Sequence, residues 1–177
     1  MTDETTPAPT ATEPPIRRAA AIIGTASTWK QAPWADTSVD ILGLNDGFML
    51  GFRLTGVPAL PRETIHFDLH RFNQMVFRPM HQTTVKAEDV PLGAYLRPAG
   101  YLDWLKTRDF PVLLNQAPSD WTHASTFPRE AIEKKYGDYF ASTPAWMLVW
   151  AIEQGYTEIH IYGIHLATEW ERRSPSA

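Results

Sequence analysis

Residues 143–163 constrain the fold more than any other stretch. The run Trp146-Met147-Leu148-Val149-Trp150-Ala151-Ile152 is apolar on nearly every side. Thr143 suits an N-cap, Pro144 a first helical position, and Gly155 a C-terminal stop, so the spacing predicts a helix over Pro144–Gln154. A helix apolar all round is expected to be buried between layers. It leads into Glu158–Gly163, where Ile159 and Ile161 alternate with His160 and Tyr162 as in a strand. A buried helix feeding a strand points to an α/β fold with a parallel sheet.

The rest of the chain repeats that alternation. Ala19–Gly24 is a short apolar run ending in glycine, read as a first strand, and Ser27–Gln31 as a turn or short helix that stops before Pro33. Val39–Leu44 reads as a second strand, closed by Asn45-Asp46-Gly47. Met49-Leu50-Gly51-Phe52 suits a short helix over the sheet, and Thr64–Leu69 a third strand. A loose, proline-broken region then runs to about Pro98. Tyr101–Thr107 reads as a helix, Pro111–Leu114 as a fourth strand, and Pro128–Tyr136 as a helix with proline at its first position. The expected architecture is a three-layer α/β sandwich around a mostly parallel sheet of about five strands, in the order 3-2-1-4-5.

Composition narrows the function classes. Hydrophobic residues make up 44% and charged residues 20% of 177 residues, an ordinary globular balance for one domain. A net charge of −4 gives no strong signal for nucleic acid or an anionic membrane surface. With no cysteine in the chain, disulfides, thiolate metal sites and cysteine nucleophiles are excluded. Residues 1–16 are rich in Thr, Pro, Ala and Glu and are expected to be a disordered tail without the pattern of a signal peptide. Residues 17–170 form the expected domain, and 171–177 a flexible end. No stretch reaches the ~18 apolar residues of a membrane span, so a cytoplasmic protein is expected.

In a sheet of this kind ligands sit beyond the carboxyl ends of the strands. That rule gathers Gly24–Ser27, Asn45, Asp46, Asp68, His70, Asn115, Gln116 and His165 at one rim. Gly24 permits close backbone approach, and the turn after it suits either an anion or an ordinary strand-to-helix connection. Ser142 and Thr143 are explained by helix capping, yet the N–H groups of a helix start also suit a phosphate. Asn45-Asp46-Gly47 is a common turn, and its Asn45 amide is able to pair with a base or ribose. His66, Asp68 and His70 alternate onto one strand face. Such a face is either a solvated edge or acid–base machinery; a dedicated zinc site lacks an evident fourth ligand, and no metal is assigned. His165 follows a strand and suits a base near neutral pH.

The segments I-I-G-T-A-S, G-L-N-D, F-D-L-H and S-T-P-A-W-M-L-V-W-A-I-E-Q-G-Y-T-E-I-H-I-Y-G-I-H-L resemble small Rossmann-like proteins of tailed bacteriophages. More distantly they are similar to nucleotide-sugar glycosyltransferases of the bacterial sialyltransferase group and to the hydroxymethylpterin diphosphokinase group. The resemblance covers about Ala19 to Glu169, with the middle poorly matched. It implies a Rossmann-like fold in which Gly24, Thr25, Ser27, Asn45, Ser142 and Thr143 contact a cytidine nucleotide. Thr25-Ala26 depart from the G-x-G-x-S turn of the transferases, and His165 stands where these groups usually carry aspartate. The transferases place a catalytic histidine in a further C-terminal region that the sequence, ending at Ala177, does not contain.

The first functional expectation is therefore a nucleotide-dependent transferase moving a glycosyl or phosphoryl group. In it the glycine turn (Gly24, Thr25, Ser27) and the Ser142-Thr143 helix start hold the phosphates of a nucleotide or nucleotide-sugar donor, Asn45, next to Asp46, selects base or sugar, His70 or His165 deprotonates the acceptor, and Asp68 orients the histidine. A non-catalytic module that binds a nucleotide or a host protein is the second. A virion or assembly protein, self-associating or docking a phage or host partner, is the third.

Overall fold

A computed structural model describes residues 18–45, 47, 49–50, 60–78 and 94–164. The expected tails, residues 1–16 and 171–177, and the rest of the expected Met49–Phe52 helix, residues 51–52, lie outside them.

The main sheet has six strands, all parallel. They are β1 (Ala19–Ile23), β2 (Val39–Leu44), β3 (Ile65–Asp68), β6 (Val112–Leu114), β7 (Ala124–Thr126) and β8 (Glu158–Tyr162), in the order β7-β6-β3-β2-β1-β8. The fourth expected strand lies outside β3 rather than beside β1, and β8 takes the place next to β1. The 3-2-1-4-5 order is corrected accordingly. A separate parallel pair, β4 (Met75–Arg78) with β5 (Tyr95–Pro98), occupies the region read as loose. Neither that pair nor β7 was expected.

Strand register decides which residues face which layer. Ile22, Leu42, Phe67 and Leu113 lie on one face. They form a core with α2 (Arg129–Tyr136) and α3 (Thr143–Glu153), through Ile132, Met147 and Trp150. Phe67 meets Trp150 edge-on at 5.1 Å. On the other face Ile23 and Ile41 pack on Trp29, which belongs to a 3-10 turn at Ser27–Gln31. Val112 and Leu114 pack there on α1 (Tyr101–Lys106). The layers are helix, sheet and helix, the arrangement of a Rossmann-like sandwich.

Two helix starts differ from expectation. Pro128 caps α2 instead of beginning it, and α3 starts at Thr143 with Ser142 at the N-cap position; neither helix has a side-chain cap hydrogen bond. The α3 helix is an outer layer and is not buried between layers: it covers the sheet with Trp146, Met147, Trp150 and Ala151, while Ile152 is 49% exposed. Among the described residues no helix is long and apolar enough to cross a membrane.

Candidate functional site

The third strand departs most from its sequence pattern. His66, Asp68 and His70 had a solvated edge as their simplest reading. Instead β3 is an interior strand, and His66 and Asp68 are fully buried beneath α1. Polar side chains hold such a position only when they are hydrogen-bonded. Two features provide for this. Gly43, the sheet neighbour of His66, has no side chain, and the Glu63 carboxylate fills the space a Cβ would take. On α1, Tyr101, Trp104 and Leu105 share one buried face, and Tyr101 turns its hydroxyl to the strand.

Asp68 is the centre of the cluster. Its Oδ1 accepts from the His70 backbone N–H at 3.1 Å and lies 2.7 Å from His70 Nδ1. Its Oδ2 accepts from Tyr101 Oη at 2.7 Å and from Arg97 Nε at 3.0 Å, with Arg97 Nη2 at 2.9 Å. Burial alone raises a carboxyl pKa. Here the His70 hydrogen bond, the Arg97 charge and the Tyr101 hydroxyl outweigh burial and bring Asp68 down to about 2. Asp68 is thus an anion at neutral pH. Tyr101 moves the opposite way, well above the usual tyrosine value, chiefly through burial and then through the Asp68 charge.

His70 is the cluster's outlet. Its side chain is 19% exposed and its ring lies 3.8 Å from that of Tyr95. Ionised Asp68 only accepts, so its 2.7 Å contact favours a proton on Nδ1, which leaves Nε2 as the basic nitrogen; Arg97 Nη2, a donor 2.9 Å from the same Nδ1, favours the opposite tautomer. A carboxylate that fixes a histidine's tautomer and orientation is a recurring preparation for general-base catalysis. The Asp68–His70 spacing was legible in the sequence. Arg97, Tyr101 and Tyr95 were not singled out, because β5 and α1 meet β3 only in the folded chain.

A cleft of about 430 Å³ opens on His70. Asn45 at the end of β2, Tyr95 on β5, Arg129 at the start of α2, and Ser142 and Thr143 at the start of α3 line it. Four residues picked from sequence, Asn45, His70, Ser142 and Thr143, therefore share one cavity. Asn45 is the one non-glycine residue with positive φ (51°) among those described, and its buried Oδ1 has no hydrogen-bond partner among them. The helix start with Arg129 makes this wall attractive to an anion. Arg129 is braced over the Trp146 ring at 4.6 Å. A second cleft of about 600 Å³ is also lined by His70, with Arg71, Asn73, Asn115 and Gln116 in its wall.

The first glycine turn has a different place. Gly24 packs against the Gly163 turn at the end of β8, and a Cβ on Gly24 would collide with the Gly163 carbonyl. Gly24 N–H donates to Tyr162 O (2.7 Å), Ala26 N–H to Gly163 O (2.8 Å), and Gly163 N–H to Thr28 Oγ1 (2.8 Å). The glycine is needed for backbone-to-backbone approach, and the Gly24 and Ala26 N–H groups are used by Tyr162 and Gly163 at the end of β8. Thr25 and Ser27 belong to this turn and not to the His70 cleft. Asp46 and His165 lie outside the described residues. Among the described residues no group of three or more His, Asp or Glu side chains is placed to hold a metal ion.

No protein-family model, curated protein or solved structure matches the chain.

Proposed function

We propose that the protein is a nucleotide-dependent transferase of the cytoplasm, moving a glycosyl or phosphoryl group from a nucleotide donor to a hydroxyl acceptor. One observation carries the reading: His70, oriented by buried Asp68, opens into the same cleft as the α3 start, Arg129 and Asn45. The α3 N–H groups and Arg129 hold the donor phosphates, and Asn45 offers its amide to the base or ribose. His70 Nε2 takes the proton from the acceptor hydroxyl. The acceptor oxygen bonds to the transferred carbon or phosphorus. The bond to the nucleotide oxygen breaks, and its electron pair remains on a phosphate stabilised by Arg129 and the helix start. The proton then leaves His70 for water.

Product analysis with a panel of nucleotide sugars and nucleoside triphosphates tests this. Native protein is expected to form a transfer product. His70→Ala should keep the donor-induced thermal shift and lose about 10²–10⁴-fold in turnover, the usual worth of a general base. Full turnover in His70→Ala contradicts the assignment. A non-catalytic nucleotide-binding module is the second reading. It is favoured by the turn after β1, where the Gly24 and Ala26 N–H groups are taken by Tyr162 and Gly163 and are not free for a donor phosphate, and it predicts nucleotide binding with no product.

A further inference from the structure

Behind Asp68 lies a second set of buried groups that the proposed reaction does not use. Tyr101 Oη is 3.1 Å from His66 Nε2, and His66 Nδ1 is 2.8 Å from Glu63 Oε1. The His66 side chain is 0% and that of Glu63 2% exposed. The contacts form one chain: Glu63, His66, Tyr101, Asp68, His70. Its inner end is sealed and its outer end opens on the cleft.

The directions of the hydrogen bonds in the middle of the chain follow from Asp68. Asp68 accepts at both oxygens, so the Tyr101 proton points to Asp68. The Tyr101 oxygen then accepts, so His66 must donate from Nε2. The remaining 2.8 Å contact, from His66 Nδ1 to Glu63, needs one further proton between the two atoms. At the outer end Nδ1 of His70 faces both an acceptor, Asp68 Oδ1, and a donor, Arg97 Nη2 at 2.9 Å. Two arrangements compete there. In one, Nδ1–H donates to Asp68 and Nε2 is a base. In the other, Nδ1 accepts from Arg97 and Nε2 carries the proton. Any rotation of the Asp68 carboxylate away from His70 favours the second.

We propose that Tyr101, backed by His66 and Glu63, is a positioning residue: its hydroxyl pins the Asp68 carboxylate so that His70 keeps its proton on Nδ1 and presents Nε2 to the cleft as a base. The proposal deepens the general-base reading of His70, but the tautomer is read without substrate or nucleotide. Failure of the transferase reading therefore leaves this result standing, and the reverse holds too.

The experiment is 15N NMR of the histidine rings in the full chain, assigned with H66Q and H70Q. In native protein His70 should show a pyrrole-like Nδ1 and a pyridine-like Nε2, and His66 a pyrrole-like Nε2. Tyr101→Phe keeps the ring and removes the donor; it should draw the two His70 shifts toward each other. Glu63→Gln still offers a hydrogen-bonding group to His66 Nδ1, keeps His66 Nε2 donating to Tyr101, and should leave the His70 shifts at native values. Unchanged His70 shifts in Tyr101→Phe overturn the proposal, because a merely structural tyrosine would alter stability alone. A pyridine-like His66 Nε2 in the native protein overturns it without any variant, so the test survives a Tyr101→Phe chain that fails to fold.

Discussion

Asp68→Asn isolates the charge at the centre of the site. Asparagine keeps the shape and loses the anion, leaving Arg97, 5% exposed, without its carboxylate. Removing one partner of a buried ion pair costs about 3–5 kcal/mol, and that loss is expected at neutral pH. Its pH dependence carries the sharper test. The Asp68 pKa falls on folding from an ordinary 3.8 to about 2, which at about 1.4 kcal/mol per tenfold change is worth about 2 kcal/mol. Folding favours the ionised form. The contribution is therefore complete above the unfolded value and is lost as pH falls through the folded one, between about pH 4 and pH 2. Urea unfolding followed by tryptophan fluorescence, at steps from about pH 6 to pH 2, reads it for native protein and variant. Other carboxylates titrate in both, so the difference isolates Asp68. The gap between the two should narrow by about 2 kcal/mol on acidification. Parallel loss of stability in the two proteins refutes the buried-anion account.

Two further outcomes probe the frame around the site. Gly24→Ala forces a methyl into the Gly163 carbonyl and within 2.7 Å of the Ile164 side chain; thermal unfolding should show a loss of about 1–3 kcal/mol, the scale of an overpacked core, with the His70 ring shifts unchanged. Trp150→Ala removes a ring packed on Phe67 and Tyr156 and should cost about 3–5 kcal/mol by denaturant titration.

The strands that the sequence marks well are those bounded by clear punctuation. Ala19–Ile23 is apolar and closed by Gly24, and Val39–Leu44 is closed by Asn45. The helix at Thr143–Glu153 has proline at its start and glycine past its end. The missed strands lack such signals. Tyr95–Pro98 contains arginine and ends in proline, and Ala124–Thr126 is three residues long with two of them exposed. The pattern His66, Asp68, His70 misled for a different reason. Alternating polar residues ordinarily mark a wet face, yet here Gly43, Glu63 and Tyr101 convert it into a hydrogen-bonded interior. Those three partners come from separate segments, and single-chain spacing does not reveal that they converge. Asn45 and His70 follow from the strand-end rule, which depends on topology alone, and Ser142 and Thr143 from the N–H groups that a helix start leaves unpaired. The Gly24 turn keeps two readings in the sequence because a glycine that admits a phosphate and one that admits a neighbouring carbonyl look the same there.

Ligand binding at the His70 cleft tests the central claim most directly. Thermal unfolding of the native chain against a panel of nucleoside phosphates and nucleotide sugars should show stabilisation by at least one, reaching about 2.7 kcal/mol at a hundredfold excess over its dissociation constant. The shift should shrink in Arg129→Ala, which removes the one Arg or Lys among the described residues of that cleft wall. No shift across the panel, or a shift equally large in Arg129→Ala, contradicts the account.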